Sequence, residues 1–285
     1  MIMADDNSAI IFPSNTLEGR SRWVESMTAT VSDQPLVLSQ TQIERFWRDG
    51  FIVSDRVIDG ELLTRLRGRL DRLVSRVMAE STQNLDFRFE RGTTNVIRTI
   101  DNFIRYGEEW WELIKYPAIV GAVRDLLGNE VYLHGTKLQM KPPLEGSAKE
   151  WHQDLAEGFL TPRDQQRLTE MGPSFQDVGA PMVAVQVYLD DSTEKNGCLE
   201  FVPGSHKWGL LETDKVLASF SPEQIVKVPA QAGSAAIFHC LVLHYSSPNR
   251  SPHGRRGPIA EYFAPSTLYQ LPEIPNCEGF GVRLV

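Results

Sequence analysis

Between Val131 and Phe263 the chain reads as a series of short apolar or alternating runs, and this texture limits its fold more than any other feature. The runs are Val131–Leu133, Thr136–Met140, Met182–Leu189, Leu199–Val202, Ala235–Phe238, Leu241–His244 and Ile259–Phe263. Asn196-Gly197, Pro203-Gly204 and Ala232-Gly233 supply turn signals between several of them. Short strands with long connections, preceded by helices, predict a mainly β chain of α+β type. The expected architecture is a double-stranded β-helix, or jelly-roll sandwich, buttressed by N-terminal helices.

The helical part precedes the strands. Ser39-Gln40-Thr41-Gln42 resembles a capping box, with Ile43, Phe46 and Trp47 as the apolar face of a short helix that Gly50 stops. Phe51-Ile52-Val53 then reads as a buried strand. From Glu61 to about Ser81 a stripe of Leu62, Leu66, Leu70, Leu73, Val74 and Val77 predicts a long amphipathic helix, with Arg65, Arg69, Arg72 and Arg76 as its solvated face. Residues 82–106 are polar and predict irregular structure; Tyr106–Tyr116 and Pro117–Leu127 predict two further helices. Residues 1–38 show no period and are expected to form a flexible arm, leaving 39–285 as one domain.

Composition removes several function classes. A net charge of -8 argues against a nucleic-acid partner, whose phosphates reward basic surfaces. No apolar run is long enough to span a membrane, and no secretory h-region opens the chain. Cys198, Cys240 and Cys277 are odd in number and widely spaced, which predicts neither a disulfide framework nor a structural zinc site and favours a reducing cytoplasm.

The chemistry is concentrated in Trp151-His152-Gln153-Asp154 and in His244. Side chains alternate along a strand, so His152 and Asp154 should project the same way. A third imidazole would complete two histidines and one carboxylate, a facial set that leaves adjacent positions open on a non-haem Fe(II) ion. His244 ends the apolar run Cys240–His244; His239 is the rival third ligand. Arg255 follows His244 by eleven residues. A guanidinium fork of this kind can anchor a 2-oxoacid through its far carboxylate.

These pieces, in this order, resemble the phytanoyl-CoA dioxygenase family of Fe(II)- and 2-oxoglutarate-dependent oxygenases. Lys141-Pro142-Pro143 and Trp151–Asp154 look like the family's first ligand strand and its lead-in. Leu189-Asp190-Asp191, Asn196-Gly197-Cys198-Leu199 and Val202–His206 look like its central hairpin. His244-Tyr245-Ser246-Ser247-Pro248-Asn249, then Arg255-Arg256, look like the distal ligand and cosubstrate strand. The likeness spans roughly residues 39–264. It implies His152, Asp154 and His244 as iron ligands, Arg255 as the grip on 2-oxoglutarate, Ser246 as a hydroxyl sharing that carboxylate, and Gln139 as a polar contact. Arg256 is the alternative anchor if the register moves by one. The Ser-x-Pro-Asn tail follows His244 and not His239, which favours His244. Gln186 stands where many members carry a tryptophan, and either faces the pocket or points outward.

The resemblance implies an Fe(II)-dependent dioxygenase that uses O2 and 2-oxoglutarate to oxidise a C–H bond of a small organic molecule, releasing succinate and CO2. Asp154 speaks against halogenation, which needs that ligand position vacated. The alternatives are a cupin-like metalloenzyme without redox chemistry, or a relative that binds but does not catalyse. Substrate choice is expected from a lid over residues 155–180, from a wall over 88–111 carrying Arg91, Asn95, Arg98, Trp110 and Trp111, and from the tail 265–285.

Overall fold

The computed structural model describes residues 37–80, 85–156, 166, 182–212, 215–264 and 282–284. Nearly all of the expected N-terminal arm, and most of the expected lid and tail, lie outside the described residues. Helix α1 (Gln40–Asp49) opens with the expected capping box: the Ser39 hydroxyl accepts from Gln42 N–H, and the Gln42 side chain accepts from Ser39 N–H. The chain then runs into strand β1 (Phe51–Ser54) and helix α2 (Gly60–Glu80). Leu62, Leu66, Leu70 and Leu73 are buried at helical spacing, each contributing about 2 kcal/mol of apolar transfer energy.

The arginine face of α2 is not wholly a solvated one. Arg65 forms a bidentate pair with Glu112 at 2.6 Å, and Arg69 Nε donates to Tyr106 O at 2.5 Å. These contacts tie α2 to helix α3 (Glu108–Ile114), which is shorter than the helix expected over Tyr106–Tyr116 because Gly107, at φ +149°, separates it from a 3-10 turn over Phe103–Tyr106. Helix α4 (Pro117–Leu127) lies where the sequence puts it, with Pro117 in its first turn.

The remaining strands are β2 (Phe87–Phe89), β3 (Ile97–Asp101), β4 (Tyr132–Lys141), β5 (Lys149–His152), β6 (Met182–Val187), β7 (Leu199–Phe201), β8 (Val226–Val228), β9 (Ala235–His239), β10 (His244–Ser246), β11 (Arg255–Phe263) and β12 (Val282–Arg283). The larger sheet runs β1-β9-β6-β11-β4-β3-β2, with β12 also paired to β4; the smaller runs β5-β10-β7-β8. One face of the larger sheet, carrying Leu133, Val183, Val185 and Ile237, packs with the helices. Its other face meets the smaller sheet through Phe51, Ala184 and Phe238 against Leu199 and Phe201, with Phe51 and Phe201 stacked at 4.2 Å. This is the expected jelly-roll sandwich with its helical buttress.

Three strand expectations change. β2 and β3 fall in the segment expected to be irregular: both are short, β3 pairs with β4 and β2 forms the edge, and Ile97 and Ile100 supply the buried contacts that hold β3. β4 is one strand where two were expected, continuous through Gly135. The run Leu241–His244 is mostly turn, and the strand starts at His244. Several of its backbone groups are taken by side chains instead of a ladder: Leu241 N–H donates to His239 Nδ1, Leu241 O accepts from Gln153, and Leu243 N–H donates to Ser205 Oγ.

His134, His206 and His239 are buried, and burial pushes their pKa down to about 4, 4 and 3 respectively. An unfolded chain binds protons at these sites below about pH 6.5, whereas the folded chain does so only below their depressed values. Stability should therefore fall as pH drops from 6.5 towards 4, by roughly 1.4 kcal/mol per pH unit for each histidine. Thermal unfolding followed from pH 7 to pH 5 should show that decline, and His239→Asn should make it shallower. An unchanged slope in that variant would remove His239 from the explanation.

Candidate active site

The inner faces of the two sheets diverge around a pocket of about 480 Å³, its open mouth included. Strand alternation decides what lines it. On β4, Lys137, Gln139 and Lys141 face inward; on β11, Arg255 and Ile259; on β6, Gln186. Opposite them stand His152, Asp154, His244 and Ser246.

His152 and His244 are directly opposed residues of the antiparallel β5–β10 ladder, and their rings lie 4.1 Å apart. His152 Nδ1 is 2.7 Å from Glu150 O, and His244 Nδ1 is 3.0 Å from Val242 O. A carbonyl only accepts, so each Nδ1 carries a proton, which in the neutral ring leaves the lone pair on Nε2. Both Nε2 atoms point at one oxygen: Asp154 Oδ1 is 3.5 Å from His152 Nε2 and 3.8 Å from His244 Nε2. Asp154 does not continue the strand as expected. β5 ends at His152, and Asp154 opens a 3-10 turn over Asp154–Ala156, pinned by Leu155 N–H donating to Cys240 O.

The donor set fits a divalent metal ion. One ligand atom from each of His152, Asp154 and His244 lies within 4.8 Å of the others. Asp154 Oδ2 is buried without a hydrogen-bond partner, a costly state that a cation would relieve. Burial, reinforced by His152, lowers the pKa of His244 to about 4 and keeps it in its ligating, neutral form. Burial alone would raise the Asp154 carboxyl, but the Lys137 ammonium at 3.5 Å leads the charges that hold it well below the usual range. His239, the rival ligand, is elsewhere: its Nδ1 accepts from Leu241 N–H, and its ring packs beside His206 and Phe46.

Arg255 is fully buried at the inner end of the pocket, and its Nε and Nη1 have no hydrogen-bond partner. Arg256 faces the other way, held by Asp190 at 2.8 Å and Asp71 at 2.7 Å. Ser246 lines the same pocket, as does Gln139, which accepts from Thr99 Oγ1 at 3.3 Å. Gln186 faces inward, with an unpartnered Nε2. A Cβ on Gly257 would lie 2.5 Å from that Nε2, so this cross-strand position needs glycine to leave the amide its room.

Sequence reasoning assigned no role to three buried groups. Gln153, between His152 and Asp154, points away from them: its Nε2 donates to Gly209 O and Leu241 O, and its Oε1 accepts from Leu211 N–H, all at 2.8 Å. Lys141 Nζ donates to Ser147 O at 2.6 Å and Ser247 O at 2.9 Å; burial and the charges of Arg255 and Arg98 bring its pKa down to about 7. The Tyr188 hydroxyl is buried, unpartnered and within electrostatic reach of Arg255. The only signal for Gln153 was its place between His152 and Asp154, two residues expected to face the pocket.

Comparison with known proteins decides the family. The phytanoyl-CoA dioxygenase family model matches residues 46–257, about three quarters of the chain. The chain belongs to the phytanoyl-CoA dioxygenase family. It is a 2-oxoglutarate-dependent non-haem iron dioxygenase. It is 29% identical over 238 residues to the L-proline trans-4-hydroxylase of Streptomyces griseoviridis, covering 74% of this chain and 81% of that one. It is 25% identical over 272 residues to the ectoine dioxygenase of Nocardia farcinica, covering 86% and 83%. Among solved structures, EctD from S. alaskensis with bound Fe superposes with a TM-score of 0.67 at 24% identity, covering 83% of this chain and 80% of that one; this likeness concerns the fold. Among the described residues, no helix is long and apolar enough to cross a membrane.

Gln153 gives a direct check on how the ligand segment is held. Gln153→Leu would strand two buried carbonyls and one N–H, at a cost of about 3 kcal/mol. The expected outcome is a lower unfolding midpoint in urea together with weaker Fe(II) binding. A variant that loses stability but binds iron as before would show that the turn positions Asp154 without this amide.

Proposed function

We propose that His152, Asp154 and His244 hold the Fe(II) ion, that Arg255 with Ser246 holds the far carboxylate of 2-oxoglutarate, and that the substrate is a small organic molecule oxidised at a C–H bond. One observation carries the reading: a histidine–aspartate–histidine set within 4.8 Å shares its pocket with a buried arginine that has two unpartnered N–H groups. Bound iron, 2-oxoglutarate and O2 would supply the oxidant, with succinate and CO2 as the products of the oxoacid.

The protein's share is placement. The two carbonyl-anchored imidazoles present neutral nitrogens, and Asp154 adds the one carboxylate, so an ion bound there keeps positive charge and an open face. Arg255 is fixed on β11 and desolvated, so a carboxylate reaching it finds paired donors without competing water. Gln139 on β4 and Gln186 on β6, the strands on either side of β11, offer amides along the cosubstrate's path, and Ile259 keeps that wall apolar. A cupin-like enzyme without redox chemistry would have no use for Arg255. The small-molecule substrate accords with relatives named for proline and ectoine. The acidic composition and cysteine usage support a cytoplasmic setting without a nucleic-acid partner.

Anaerobic titration of the ferrous protein with 2-oxoglutarate, read by the visible charge-transfer band of the chelate, tests the assignment. Asp154→Ala should abolish iron binding and succinate release. Arg255→Gln should raise the 2-oxoglutarate concentration needed roughly a hundredfold, equivalent to about 3 kcal/mol, while Arg256→Gln should not. Loss of cosubstrate binding in Arg256→Gln and not in Arg255→Gln would reverse the anchor assignment.

A further inference from the structure

The pocket is far more basic than the chain around it. Four cationic side chains (Arg98, Lys137, Lys149 and Arg255) and the partly ionised Lys141 line it, with Asp154 as the single lining carboxylate, in a protein of net charge -8. Ferrous iron and doubly charged 2-oxoglutarate would cancel each other, so the surplus persists in the loaded enzyme. Most of these cations have an evident use. Arg255 faces the cosubstrate; Lys141 is spent on backbone carbonyls; Lys137 sits between Asp154 Oδ1 at 3.5 Å and Glu261 Oε1 at 3.3 Å.

Arg98 is different. Its one hydrogen bond is from Nη2 to Ala148 O at 3.1 Å, and no carboxylate among the described residues pairs with it. A guanidinium has five N–H donors, so most of its capacity is unused. Its direction is also built in. In the β2–β3 ladder Arg88 pairs with Thr99 and Phe89 pairs with Ile97, so Arg98 is the extra residue of a β-bulge. Bulges re-aim a side chain that regular alternation would send the other way. Thr99 takes the place opposite Gln139, and Arg98 is turned to the β5 side of the pocket, where Ala148 and Lys149 form the rim. Of the wall residues expected from the sequence, Trp110 is in the core, Trp111 packs against it, and Arg91 and Asn95 are exposed; Arg98 alone lines the pocket.

We propose that Arg98 is a substrate-recognition residue that binds a carboxylate of the substrate, so that the enzyme acts on small carboxylic acids, amino acids included. The inference rests on the reading of this pocket as the 2-oxoglutarate site and names the substrate class within it. Arg98 touches none of the proposed iron ligands, and the fork of a guanidinium suits a carboxylate bidentately.

The experiment uses the full chain, loaded anaerobically with Fe(II) and saturating 2-oxoglutarate. Its probes are matched pairs of small molecules, each a carboxylic acid and its primary carboxamide, drawn from amino, imino and aliphatic acids and titrated by calorimetry. The acids should bind at least about tenfold tighter than their amides, and the gap should shrink below about threefold in Arg98→Gln, whose own 2-oxoglutarate titration should stay within about twofold of the unsubstituted protein. Amides binding as well as acids, a gap that survives in Arg98→Gln, or binding of no pair at all would overturn the proposal. A loss of 2-oxoglutarate affinity in Arg98→Gln would also overturn it, by giving the residue to the cosubstrate. If the charge-transfer band never forms in the unsubstituted protein, the parent reading fails; if the band forms and the pairs show no preference, only the present inference fails.

Discussion

The pairing of His152 with His244 across one antiparallel ladder is the constraint on which the site depends. A directly opposed pair brings two imidazoles together without a long loop or a flexible arm. Each ring is then fixed by a backbone carbonyl two residues earlier, Glu150 O or Val242 O, which sets both tautomers at once. Asp154 needs only to follow within a short turn. That turn is held from behind by Gln153, whose amide is consumed by three backbone groups of distant segments.

The larger sheet supplies the opposite wall and does so by alternation. Residues of β4, β6 and β11 that face the helices are apolar and form the main core, whereas their neighbours facing the smaller sheet are Lys137, Gln139, Lys141, Gln186 and Arg255. Further along the same face, Phe51, Ala184 and Phe238 close the sandwich with a dry apolar layer against Leu199 and Phe201. The polar pocket therefore sits beside a packed core and not in place of it. Buried cations are tolerated there because each is either bonded to carbonyls, paired with a carboxylate, or poised for an anionic ligand.

Much of this was legible in the sequence, for reasons particular to each residue. The His-x-Asp pair and Arg255 stood out because the proposed metal and carboxylate binding would demand specific atoms at specific spacings, and the fold brings them into one pocket. The amphipathic stripe of α2 and the capping box at Ser39 are local, and they appear where expected. What was not legible depends on long-range pairing. β3 is a short strand held by its pairing with β4, and β2 is the edge strand held in turn by β3; neither is announced by its own polar composition. The apolar run Cys240–Leu243 has the texture of a strand, yet side chains of Gln153, Ser205 and His239 capture its backbone groups. The inward turn of Arg98 requires a register shift between β2 and β3, which no local pattern announces. The choice between Arg255 and Arg256 was open by one residue of register; Asp190 and Asp71 settle which of the two faces outward.

The most direct measurement is a crystal structure of the protein grown anaerobically with Fe(II) and 2-oxoglutarate, with iron located by anomalous scattering. The account predicts one iron about 2.0–2.2 Å from His152 Nε2, His244 Nε2 and an Asp154 oxygen, with the far carboxylate of 2-oxoglutarate against Arg255. Iron bound by other residues, or the cosubstrate carboxylate against Arg256, would contradict it.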